Sequence, residues 1–128
     1  MILGIDLGQK KSGLAISAGQ LASPYKTIIH KNLEQAVTTM IRIIVVEGVK
    51  TVVIGYVEGK TQKQFQKFAD LLKSKRPDLE IIMRDETLTT RQARETMIKL
   101  GVPKKKKNKL EHEYSAAVIL QSYLDEND

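Results

Sequence analysis

The chain has 128 residues, a formal net charge of +6 and no cysteine. The lack of cysteine excludes disulfides and thiolate metal sites, and the two histidines, His30 and His112, are too far apart to suggest a zinc site. The positive charge favours polyanionic partners. No apolar run approaches 18 residues, and Met1 leads directly into strand-like sequence without a basic leader, so we expect a cytoplasmic protein with no membrane contact.

Three short β-type runs open the chain. The first, residues 1–8, is apolar on both faces, which is typical of a central strand that is covered on two sides. Residues 13–17 and 25–29 follow, separated by Gly19 and Pro24. We therefore predict three meandering strands.

Helices and strands alternate after residue 30. Asn32, with Gln35 three residues later, predicts a helix that ends at Gly48. Thr61 with Gln64 predicts a second helix that ends before Pro77. Two further strands are predicted, at residues 51–55 and 80–84, the first of them buried and parallel and reached by a helical crossover.

Two more helices complete the predicted order. Thr89 with Gln92 repeats the capping spacing for a helix closed by Gly101, and the last helix runs from about Leu110 to Leu124. Three strands followed by alternating helices and strands predict an α/β fold, one domain over residues 1–128, with a mixed five-stranded sheet flanked by helices.

Asp6, near the end of the first strand, needs an explanation. An ionised carboxylate inside an apolar strand costs several kcal/mol unless it is paired or bound to a cation. Asp6 either accepts hydrogen bonds from the turn at residues 8–11 or has a function. The local sequence leaves both interpretations open.

Other carboxylates fall where they could join Asp6. Glu113 shares a face with the apolar stripe of the last helix, and Asp85 and Glu86 directly follow a strand, although such acids, like Glu111, are also ordinary cap and first-turn residues. Ionised carboxylates about 4 Å apart repel by roughly 4 kcal/mol at an effective dielectric constant of 20. A cluster of them therefore implies a hard cation, Mg²⁺ or Mn²⁺, and two such ions would suit phosphodiester hydrolysis.

A dense basic run lies between the last two helices. Residues 102–109 are interpreted either as a solvated flexible loop or as an arm that contacts phosphates. The candidates for phosphate contact are Lys10, Lys11, Lys60, Lys104, Lys105, Lys106, Lys107 and Lys109.

Five motifs along the chain, in order, resemble the YqgF/RuvX family: residues 4–8, 13–17, 53–55, 85–90 and 113–124. The resemblance spans nearly the whole chain. It implies an RNase H-like fold and a nuclease, described either as a Holliday junction resolvase or as an enzyme that matures the 5′ end of pre-16S ribosomal RNA. It also places Asp6, Glu86 and Glu113 on the acidic metal-binding positions, and Asp85 can support them.

The resemblance leads us to expect a Mg²⁺- or Mn²⁺-dependent endonuclease acting on structured nucleic acid, with RNA processing favoured over junction resolution. The protein would be a monomer or a homodimer, and a symmetric cut of a four-way junction requires the dimer. Lys11, Ala18 and Glu113 stand where the family usually has Arg, Asp and Asp, and residues 56–61 replace a longer loop. A divergent member that binds nucleic acid but cuts weakly is therefore the alternative.

Two nucleotide-binding interpretations are weaker. Residues 55–61 resemble a phosphate-binding P-loop, but the spacing between the glycines is one residue short. Residues 4–8 also resemble the first phosphate loop of actin-like ATPases, which need two such domains, whereas one is predicted here.

Overall fold

The computed structural model describes residues 1–57, 59, 62–102 and 110–127. Its strands are β1 (Ile2–Asp6), β2 (Lys11–Ser17), β3 (Ser23–Ile29), β4 (Thr51–Tyr56) and β5 (Glu80–Asp85). Its helices are α1 (Leu33–Glu47), α2 (Gln62–Lys75), α3 (Arg91–Lys99) and α4 (Leu110–Glu126), and a 3₁₀ turn, Glu86–Leu88, follows β5.

The five strands form one mixed sheet in the order β3-β2-β1-β4-β5. β1, β2 and β3 pair antiparallel, and β4 pairs parallel with both β1 and β5. Short turns suffice for antiparallel neighbours, whereas parallel neighbours need the crossovers that α1 and α2 provide. The predicted α/β fold, with three meandering strands and two strands reached through helices, is confirmed.

Each face of the sheet carries its own apolar cluster. Leu3 and Ile5 of β1 belong to the cluster under α1 and α2, and Gly4 lies under Leu120 of α4 on the other face. α3 and α4 cover that second face. This explains why the first strand is apolar on both sides. Among the described helices, none is both long and apolar enough to cross a bilayer.

The helix ends confirm one predicted cap and correct another. The Asn32 side chain accepts a hydrogen bond from the Gln35 N–H (2.8 Å), as predicted. The N-cap of α3 is Thr90, not Thr89, because Thr89 closes the preceding 3₁₀ turn by donating its N–H to the Glu86 carbonyl (3.1 Å). The predicted cap at Thr61 lies outside the described residues.

Several elements are longer than predicted; β2, predicted at residues 13–17, begins at Lys11, and β4 and β5 each end one residue later than predicted. β3 includes Pro24, where the sequence pattern predicts a break between strands; an edge strand tolerates proline because one of its sides has no partner strand. α4 continues past Leu124 to Glu126, whose carboxylate pairs with the buried Arg84 guanidinium (Nη1–Oε1 2.6 Å). The ion pair ties the end of α4 to β5.

Candidate active site

Asp6 is the last residue of the central strand, and its neighbours in register are both glycines. Asp6 lies opposite Gly13 on β2 and Gly55 on β4. A Cβ at Gly13 would overlap the His112 carbonyl of α4, and one at Gly55 would overlap the Ile119 side chain. The two glycines therefore let α4 lie directly against the sheet beside Asp6. This is the structural role of Gly13 and Gly55 in the motifs at residues 13–17 and 53–55.

Glu86 reaches Asp6 from the other side. β4 lies between β1 and β5, so the 3₁₀ turn that follows β5 would be separated from Asp6 by any side chain at position 55. Gly55 has no side chain and leaves that path open. A Cβ added at position 55 would lie 3.3 Å from the Cγ of Glu86. The Asp6 and Glu86 carboxyl groups hydrogen-bond to each other. Two residues that are 80 positions apart in the sequence thus form one site.

The two carboxyl groups have raised pKa values. Burial raises the pKa of Asp6, and the negative charge of Glu111 adds to the effect. Burial, the hydrogen bond from Glu86 to Asp6 and the negative charges of Asp6 and Asp85 raise the pKa of Glu86 to about 8. At neutral pH Glu86 therefore holds a proton that it donates to the Asp6 carboxylate. A pair of acids sharing a proton is a site that a cation can occupy in the proton's place.

Asp85 supports the turn that carries Glu86. Its Oδ1 accepts hydrogen bonds from the Thr87 N–H (2.9 Å) and the Thr87 hydroxyl (2.8 Å). These bonds cap the 3₁₀ turn and fix the start of the segment on which Glu86 lies.

On α4, the residue that contacts Asp6 is His112. Its Nδ1 lies 3.3 Å from the Asp6 Oδ2. Sequence reasoning considered His112 only as a zinc ligand and so missed this contact. A signal was present, because His112 has Ala116 at i+4 and Ile119 at i+7, an apolar stripe that overlaps at Ala116 with the one that singled out Glu113.

Glu113 has a different partner. Its Oε2 accepts a hydrogen bond from the Thr27 hydroxyl (2.9 Å), and Thr27 lies on β3, two strands away from Asp6. Successive residues of an α-helix are separated by about 100° around its axis, so adjacent positions cannot share one direction. The structure thus brings together Asp6, Glu86 and His112, and it places Glu113 on the β3 side; a metal-binding role for Glu113 stays a prediction.

Among the residues that the structure describes, the contacts found at the Asp6 carboxylate do not come from the turn at residues 8–11, as the ordinary interpretation of Asp6 would require. The Gly8 N–H donates to the Ser12 hydroxyl (3.2 Å), which also hydrogen-bonds to the buried His30 ring (2.8 Å). The partners of the Asp6 carboxylate are the side chains of Glu86 and His112. These contacts favour the functional interpretation of Asp6.

The donor set fits a small hard cation. Mg²⁺ retains several waters and is commonly held by only one or two carboxylates, which Asp6 and Glu86 supply. In the parts of the chain that are described, no group of three or more His, Asp or Glu side chains is arranged to hold a metal ion. The fit therefore rests on the carboxyl pair and not on a complete cage of protein ligands.

Two of the predicted phosphate contacts can be located. Lys10 and Lys11 are exposed and belong to the turn and strand that directly follow Asp6. Lys60, Lys104, Lys105, Lys106, Lys107 and Lys109, together with all of the predicted loop 102–109 except Val102, lie outside the described residues.

Solved structures share this fold. The chain superposes on *T. thermophilus* RuvC in complex with a Holliday junction substrate with a TM-score of 0.67 and 14% identity, covering 98% of this chain and 94% of that one. The fowlpox virus Holliday junction resolvase gives a TM-score of 0.64 at 14% identity, with 98% of both chains covered. At such low identity these likenesses establish an RNase H-like architecture and no more.

Sequence comparison is more specific. A protein of *Acetivibrio thermocellus* named "Putative pre-16S rRNA nuclease" is 38% identical over 133 aligned residues, covering 97% of this chain and 94% of the relative. The family model RuvX, described as Holliday junction resolvase, matches residues 1–126. The chain therefore belongs to the RuvX family of nucleases.

Proposed function

We propose that this protein is a divalent-metal-dependent endonuclease that processes the 5′ end of pre-16S ribosomal RNA. Membership of the RuvX family makes the chain a hydrolytic nuclease for structured nucleic acid. The observation that carries the metal dependence is the hydrogen-bonded carboxyl pair of Asp6 and Glu86, buried at the end of the central strand. Action in the cytoplasm is part of the proposal.

The roles of the residues follow from their contacts. Asp6 and Glu86 would hold Mg²⁺ or Mn²⁺, Asp85 positions Glu86 through the turn, and His112 lies against Asp6 where it can orient that carboxylate. When bound, such a cation polarises the phosphodiester and activates water. Glu86 would release its proton to solvent on binding the cation, because a ligand carboxylate must be ionised. The proposal that Glu113 is a third metal ligand rests only on its resemblance to an acidic metal-binding position of the family.

The substrate assignment rests on the named relative. The name of that relative supports pre-16S rRNA, whereas the family description supports the second candidate, resolution of a four-way DNA junction. Symmetric junction cleavage requires two active sites related by a two-fold axis, and trimming an RNA end requires one. A monomer suffices for the favoured substrate.

A direct comparison of substrates tests the proposal. Purified protein is incubated with an RNA that carries the 5′ precursor segment of 16S rRNA, and separately with a four-way DNA junction, each with Mg²⁺, with Mn²⁺ or with EDTA. We expect cleavage of the RNA that EDTA abolishes and either metal restores. Paired symmetric cuts in the junction alone would favour the second candidate, and tight binding of both substrates without cleavage would identify a member that has lost catalysis.

The basic run supplies a separate prediction. Replacing Lys104, Lys105, Lys106 and Lys107 with Ala should weaken binding to unrelated sequences alike and flatten the salt dependence, because each lost phosphate contact removes about 0.7 to 0.9 from the slope of log K against log salt. Filter binding or fluorescence anisotropy over a salt series measures the slope.

A control removes the same charge elsewhere. Four exposed lysines next to or within the helices of the opposite sheet face are replaced with Ala: Lys31, Lys63, Lys67 and Lys75. This variant should keep most of the wild-type slope. Equal slopes in the two variants would mean that residues 104–107 act only through net charge and make no phosphate contact.

A further inference from the structure

A small cavity adjoins the candidate active site. It has a volume of about 160 Å³ and lies between the 3₁₀ turn, the start of α3 and one side of α4. Glu86 forms part of its wall, so the cavity and the carboxyl pair share a residue. Any group bound in the cavity would therefore lie next to the place where the bond is cut.

The lining suits a flat, neutral ring with a polar edge. Val118 and Ile119 provide an apolar wall and are almost fully buried (4% and 1% exposed). Ser115 and Thr89 add hydroxyl groups. The Tyr114 hydroxyl is buried and has no hydrogen-bond partner among the residues the structure describes, and a buried polar atom of this kind costs free energy unless a ligand or water satisfies it.

The size of the cavity limits the occupant. Its 160 Å³ is well below the roughly 300 Å³ at which pockets for drug-sized ligands begin. One heterocycle fits such a volume, whereas a complete nucleotide does not. An anion is disfavoured in the inner part of the cavity, because the Glu86 carboxyl group in its wall is bonded to the negatively charged Asp6 carboxylate.

The rim has a cation. Arg94 lines the cavity and is exposed; among the residues that the structure describes, its guanidinium makes one long contact, from Nη1 to the Thr89 carbonyl (3.4 Å). The guanidinium has five N–H donors, so most of them are available to a phosphate or sugar oxygen outside the cavity. An apolar slot with a polar edge and an arginine at its mouth matches a base that is attached to a sugar-phosphate chain.

We propose that this cavity is a nucleobase subsite, which receives the unstacked base of a nucleotide next to the phosphodiester that is cut. The inference rests on the proposed nuclease function. It adds to that function a requirement for an unpaired base beside the cut, with the Tyr114 hydroxyl bonding the base edge and the Val118 and Ile119 side chains contacting its face.

Binding is tested first, without any cleavage. Uridine, cytidine, adenosine and guanosine 5′-monophosphates are titrated to millimolar concentration into protein with labelled Val and Ile methyl groups, and ribose 5-phosphate serves as the baseless probe. We expect at least one nucleotide to shift the Val118 and Ile119 methyl resonances and ribose 5-phosphate to leave them in place. Equal shifts from ribose 5-phosphate, or no shift of these methyls by any nucleotide, would overturn the subsite.

Cleavage provides the second test. In the RNA substrate, nucleotides on either side of the cut are replaced one at a time by abasic residues. At one position the wild type should lose about tenfold in kcat/KM, in keeping with the contribution of one bound base. Ser115→Leu fills the cavity, so this variant should cut the intact and abasic substrates at the same reduced rate.

A matched control variant shows whether the effect of Ser115→Leu depends on the position of the substitution. Ser74→Leu introduces the same change on α2, where Ser74 is exposed and its hydroxyl donates a hydrogen bond to the Leu71 carbonyl (2.8 Å). It should keep the tenfold preference for the intact base. If Ser115→Leu also keeps that preference, the cavity does not bind a base during cleavage. If the wild type cuts nothing, the nuclease proposal fails and the methyl shifts alone decide the subsite.

Discussion

Asp6→Asn should reduce metal-dependent cleavage by at least about a hundredfold while leaving the protein folded, since changes even to residues behind a metal ligand commonly cost ten- to a hundredfold. Asn keeps the size of the side chain but removes the negative charge that Glu86 and His112 contact. Steady-state cleavage of the RNA substrate in Mg²⁺, with circular dichroism of the same sample, measures both effects.

The same substitution should not lower thermal stability, and this expectation separates function from structure. Burial raises the pKa of Asp6, which means that folding works against its ionised form. Replacing it with a neutral amide removes that cost. Asp70→Asn is the control, because Asp70 is exposed on α2 and, within the described part of the chain, accepts one side-chain hydrogen bond, from Gln66 (3.0 Å). Undiminished turnover in the Asp6 variant would remove Asp6 from the chemistry, and a melting temperature far below that of wild type would assign it a structural role.

Glu86 should make the protein less stable as the pH rises from about 4.5 to about 8 in the absence of metal. The unfolded carboxyl group titrates near its ordinary value of 4.5, and the folded one titrates near 8. Between these values the folded state binds more protons than the unfolded state, so the free energy of unfolding falls with pH. Thermal melts in EDTA across this range should show a falling melting temperature.

Mg²⁺ provides the complementary measurement. Because ligand carboxylates must be ionised, added Mg²⁺ should raise the melting temperature more at pH 8 than at pH 5. Glu86→Gln should flatten the pH dependence and remove most of the Mg²⁺ effect, and Glu34→Gln, an exposed change on α1, should alter neither. A Glu86→Gln protein that still gains stability from Mg²⁺ at pH 8 would show that the cation binds elsewhere.

The succession of elements was readable from local patterns. Residues 51–55 are a short apolar run, residues 80–84 were predicted as a strand, and Asn32 with Gln35 marks a helix start, because strand patterns and capping depend on residues that are close in sequence. Local patterns were less accurate for the exact residues at which elements begin and end. Thr89 and Thr90 are equally good caps, and only the 3₁₀ turn that uses Thr89 selects Thr90.

The partners of the site were decided by tertiary structure. The sequence by itself determined that Asp6 ends a buried strand and that Glu86 follows another, since both facts depend on neighbouring residues. The rotation of α4 about its axis depends instead on how closely the helix packs against Gly13 and Gly55, residues remote from it in the chain. That packing brings His112 to Asp6 and Glu113 to Thr27. His112 and Glu113 are adjacent in sequence and point about 100° apart around the helix axis, but both lie beside apolar residues of α4, so the sequence pattern could not show which of them faces Asp6.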